Sequence, residues 1–143
     1  MEITFDACEP LIVEVAPGAS DAQLASIEEG LAMWNETAGT QLTTKPLPGA
    51  ARVDLWFDEA APFFHGVYLH EDGEIVINEI MSNSRAIAVT VAHEVGHAFG
   101  MWHVEGRPSL MNAGNTSVGP NEEDADYLDE LWGPCPGPQA APR

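Results

Sequence analysis

The chain reads as an α+β protein. Three observations carry that reading. The first half holds several short apolar stretches bounded by turn residues, two segments repeat their apolar residues at the helical period, and a third, acid-capped helical segment lies near the end. At 143 residues the sequence has room for one sizeable core and no second domain, with residues 1–133 as the folded unit and 134–143 as a Pro-rich tail.

The elements follow in order. Residues 3–7 and 11–15 read as short strands separated by Pro10. Ser20 and Gln23 have the spacing of a capping box, and Leu24, Ile27, Leu31 and Trp34 then share one helix face that Gly39 ends. Residues 41–45 suit a strand, residues 46–50 a turn, and 53–57 (VDLWF) a strand with alternating sides. Residues 63–69 read as a more exposed strand interrupted by Gly66, and Asp72-Gly73 turns into a strand at 74–78. A second helix starts near Asn83 or Ser84, carries Ile87, Val91, Val95, Ala98 and Phe99 at helical spacing, and ends at Gly100. Asn121 caps the last helix, whose first turn holds three acids where the helix dipole favours them, and Ala125, Leu128, Leu131 and Trp132 form its inner face.

Charge excludes some functions. Twenty-three Asp and Glu face five Lys and Arg, a net charge of −18, so neither nucleic-acid binding nor adhesion to an anionic membrane is expected. No apolar run is long enough to span a bilayer, and no basic segment followed by an apolar run marks a secretory signal within the sequence. Cys8 and Cys135 sit near the two ends. An even count so placed points to one disulfide in an exported protein, with two reduced thiols of a cytosolic chain as the alternative.

The chemistry concentrates in residues 93–103, HEVGHAFGMWH. On a helix His93 and His97 stand four apart on one face, so both imidazoles can hold one ion. Zinc suits a tetrahedral, imidazole-rich site. Glu94 is offset from that face, where it can activate a zinc-bound water as a general base. A left-handed Gly100 would let the chain leave the helix sharply and return His103 as third ligand, leaving a fourth position for water.

This pattern, HExxHxxGxxH, resembles the signature of the metzincin zinc metallopeptidases, whose second element is a methionine turn. Ser109-Leu110-Met111-Asn112 resembles that turn, with Met111 eight residues after His103. Among metzincins the chain is most similar to the matrixins, through that short spacing, the stretch PNEEDADYLDELWG at 120–133, and the order helix, Trp34, VDLWF. It departs from them at Val104, where matrixins usually carry Ser, and in having only His65 and His70 left for a second zinc site. The resemblance implies a zincin fold: a twisted, mostly parallel five-stranded sheet, an active-site helix, a C-terminal helix, and one catalytic zinc in the cleft between. It implies a secreted, monomeric endopeptidase acting on extended peptide or protein substrates. Gly66, Val67 and Tyr68 would then lie on an edge strand above the cleft, Leu110 and Val118 in the wall of a side-chain pocket, and Met111 beneath the metal.

Other residues carry weaker readings. The acids Asp58, Glu59, Glu71, Asp72 and Glu74 lie where matrixins bind calcium, a further candidate ion. His65 and His70 read as surface residues, and Asn35 and Asn115 begin glycosylation sequons. A non-catalytic zinc-binding recognition domain and a hydrolase of non-peptide substrates are the competing readings. Glu94 speaks against the first, since recognition needs no base.

Overall fold

A computed structural model describes residues 2–59 and 64–135. Its elements are β1 (Leu11–Val15), α1 (Asp21–Ala38), β2 (Leu42–Thr43), β3 (Ala51–Asp58), β4 (Gly66–Leu69), β5 (Glu74–Asn78), α2 (Ser84–Ala98) and α3 (Glu122–Trp132). They form an α+β fold around a five-stranded sheet of order β2-β1-β3-β5-β4. β1 pairs in parallel with β2 and β3, and β3 with β5, while β4 runs antiparallel to β5 at the edge. Parallel neighbours require a crossover, which α1 supplies between β1 and the strands that follow it. The antiparallel pair needs only a tight turn, at which Gly73 takes φ +69. The start of the 63–69 strand and most of the Pro-rich tail fall outside the described residues.

The helix ends obey local chemistry. Ser20 and Gln23 close a reciprocal capping box on α1, and Asn121 and Asp124 close another on α3. At the end of α2, Gly100 N–H reaches His97 O and Met101 N–H reaches Gly96 O, a Schellman motif with Gly100 at φ +97. The helix itself stops at Ala98, with Phe99 as its cap.

α2 packs against α1, β4 and β5. At the α1 contact a Cβ on Gly30 would stand 2.5 Å from Ala88 O, so the two backbones approach closely there. Trp34, wholly buried, donates its indole N–H to Ala92 O at 2.9 Å, one residue before His93. The core continues through Val13, Val53, Leu55, Ile75 and Ile77 of the sheet to Phe99 and Met101.

Three expectations are corrected. Residues 3–7 are not a strand: Ile3 N–H donates to His70 O and Phe5 N–H to Ala98 O, so the segment bridges two elements and pairs with no strand. The 41–45 strand shrinks to Leu42–Thr43. Leu131, expected on the inner face, is 42% exposed and only touches the turn at Gly100 with Cδ1, whereas Trp132 is half-buried with its indole donating to Phe99 O.

Candidate metal centre and cleft

His93 and His97 project from α2, and the Schellman turn brings His103 back to them. One ring nitrogen from each lies within 4.8 Å of the other two. The ring centroids stand 4.9, 5.1 and 5.4 Å apart. Two rings are oriented by backbone carbonyls: His93 Nδ1 meets Leu110 O and His97 Nδ1 meets Met101 O, each at 2.8 Å. A carbonyl only accepts, so both Nδ1 atoms carry hydrogen and both Nε2 atoms keep their lone pairs. Burial lowers the pKa of both rings, His93 to about 4, and so favours the neutral form a metal needs. Three converging imidazoles, two of them with Nε2 lone pairs fixed free by their carbonyl partners, fit one borderline-soft divalent ion such as zinc.

Glu94 is 5% exposed beside the histidines. Burial pushes its carboxyl up to about 8, opposed by a hydrogen bond from the Tyr68 backbone on β4.

Met111 lies under the histidine-bearing helix. A Cβ on Gly96 would stand 2.5 Å from Met111 Sδ, so any larger residue there must push the methionine from this seat. The Met111 loop is joined to the chain after His103 by Val104 N–H to Met111 O, and by Asn112 Nδ2 to Val104 O, each 2.9 Å.

The sequence reading missed the residue that anchors this loop. Asp124, one of three acids read only as dipole partners, is wholly buried. It accepts hydrogen bonds from Ser109 Oγ, from Leu110 N–H at 2.9 Å and from Asn121 N–H at 3.2 Å, and it pairs with Arg107 at 3.0 Å. Its only signal in the sequence was its place three residues after Asn121, and that spacing accounts for the cap alone.

A cleft of about 490 Å³ opens over the histidines. Gly66, Val67 and Tyr68 of the edge strand are among its lining residues, as are Gly114 and Asn115. Leu110 and Val118 are not among its lining residues. Leu110 is wholly buried, and Val118 is turned outward because Asn115 folds the loop on itself, donating to Leu110 O and Val118 O and accepting from Ser117 and Val118 N–H. His65 and His70, read as surface residues, also line the cleft, His70 as an exposed residue, together with Glu2, Thr4 and Trp102.

Cys8 and Cys135 form a disulfide, with Cα atoms 5.0 Å apart. No helix among the described residues is long and apolar enough to cross a membrane. No protein-family model matches the chain, and the search of curated proteins found no match.

Proposed function

We propose that the chain is a zinc-dependent endopeptidase of the metzincin type, acting outside the cytosol on extended peptides. The observation that carries this reading is the convergence of three carbonyl-oriented or loop-returned imidazoles beside a buried carboxylate, in a cleft bordered by a sheet edge. His93, His97 and His103 would hold the ion, with Met111 as the apolar floor of their helix. When bound, zinc supplies Lewis acidity to a peptide carbonyl and acidifies a water molecule. Glu94 takes the proton of the attacking water and delivers it to the departing amine. The outward backbone groups of β4 pair with the substrate chain by strand addition, which favours an extended polypeptide over a compact small molecule. The Cys8–Cys135 bond supports an oxidising environment for the mature protein.

The test is cleavage of an unbiased peptide library, read by mass spectrometry, with and without a chelator. We expect about one zinc per chain, chelator-sensitive cleavage, and a Glu94→Gln variant that keeps zinc while turnover falls about 10³-fold. Zinc bound at full stoichiometry with no peptide cleaved would favour a recognition domain. Glu94→Gln turnover equal to the parent's would overturn the assigned base.

A further inference from the structure

The end of the cleft is built by a segment remote from the histidine motif. Residues 2–5 run from the β4–β5 hairpin to the end of α2. Ile3 is fixed on both sides, its N–H donating to His70 O and its carbonyl accepting the Tyr68 hydroxyl. Burial pushes the Tyr68 phenol up to about 12, so it remains a donor at any working pH. Thr4 Cγ2 comes within 3.7 Å of a Cβ placed on Gly100, where the chain turns toward Trp102. The disulfide at Cys8 ties the same segment to the chain after α3.

This segment sets Glu2 on the cleft wall, its carboxylate 3.8 Å from His70 Nδ1. From the turn after Gly100, Trp102 lines the same cleft. Trp102 is 66% exposed although its neighbour Met101 is buried, and its backbone N–H is fixed on the Tyr127 hydroxyl of α3. A wide indole with its backbone N–H hydrogen-bonded and its ring open beside a cleft offers area for a ligand to stack on. Its preferred ligand follows from charge. Among the described lining residues there is no Lys or Arg, and Glu2 is the one acid besides the buried Glu94. The whole chain carries −18.

We propose that Glu2 and Trp102 form a subsite for the guanidinium or ammonium group of a substrate arginine or lysine. The indole face attracts the cation, the carboxylate neutralises it, and the aliphatic stem lies on the apolar lining. This rests on the endopeptidase reading for its substrate class and names the side chain that class carries. The acidity of the surface then draws such substrates in at long range, while the subsite reads them at contact.

The experiment measures binding without turnover. Zinc-loaded Glu94→Gln protein is titrated with fluorescent peptides of one length in which Arg, Leu or Glu is moved through each position. At one position Arg should bind about tenfold tighter than Leu, and Glu more weakly than either. Glu2→Gln and Trp102→Ala should each bring the Arg/Leu ratio down at that position, and Trp102→Phe should restore part of it. Raised salt should weaken Arg binding at all positions while leaving a preference at that one. Equal Arg and Leu binding throughout, a ratio unmoved by both variants, or no peptide binding at all would overturn the subsite. Failure of the parent to cleave any peptide would overturn the endopeptidase reading and leave this binding result standing.

Discussion

Asp124→Ala isolates what holds the Met111 loop under the histidines. Oδ1 accepts from Ser109 Oγ and from Arg107, and Oδ2 from the N–H groups of Leu110 and Asn121. Ser109 and Leu110 are wholly buried, so truncation strands a hydroxyl and an amide away from water. Each orphaned buried donor costs about 1–3 kcal/mol. A buried ion pair stripped of one partner costs about 3–5 kcal/mol, reduced here because Arg107 is 22% exposed and can turn to water. These losses overlap, and a total of about 3–5 kcal/mol is expected, which lowers the midpoint of thermal unfolding by about 10–20 °C in a domain of this size. Asp124→Asn keeps the shape. Its amide nitrogen must face either two N–H donors or Arg107, so about 1–3 kcal/mol is lost. The same loop presents Leu110 O to His93, so zinc affinity should fall about 10–100-fold in the alanine variant. Urea unfolding of the disulfide-intact, metal-free protein, followed by competition titration of zinc, measures both. Unfolding within about 0.5 kcal/mol of the parent, the range of ordinary surface changes, would refute the anchoring role.

Two further outcomes follow from close packing and chain topology. Gly96→Ala places a methyl 2.5 Å from Met111 Sδ, and displacing that wholly buried methionine should destabilise the fold by about 1–3 kcal/mol, visible as a lower urea midpoint. Replacing Cys8 and Cys135 together by Ser should remove about 3–5 kcal/mol in the loop-entropy description, measured by unfolding of oxidised parent against the double variant, with no change expected in a parent already reduced.

The helices and the clustering of the three histidines were legible because their determinants are local. Ser20 with Gln23, Asn121 with Asp124, and the four-residue step from His93 to His97 all act within one or two turns. Gly100 was legible as a left-handed exit for the same reason. What escaped is non-local. Ile3–Phe5 has strand-like alternation, but its hydrogen-bond acceptors are His70 and Ala98, and no sequence pattern announces which carbonyls a segment will meet. Asp124 looked like any acid in a first helical turn, because the donors that bury it, Ser109 and Leu110, lie on a loop whose path depends on Asn112 and Asn115. The pocket wall was misplaced for a related reason: Asn115 uses both ends of its amide to fold the loop, which turns Val118 outward.

The bond between Cys8 and Cys135 makes nearly the whole domain a covalent ring. A ring cut once is still a single molecule. Residues 45–49, between β2 and β3, are exposed and free of regular structure, the kind of place where a chain is nicked. After such a cut the piece carrying residues 2–5 and the piece carrying the histidines would remain linked, so the cleft end and the histidine cluster would stay together. A protease that cuts that turn therefore need not separate the two pieces. In a reducing compartment the same nick would release the two pieces, and survival of damage would then depend on where the molecule resides.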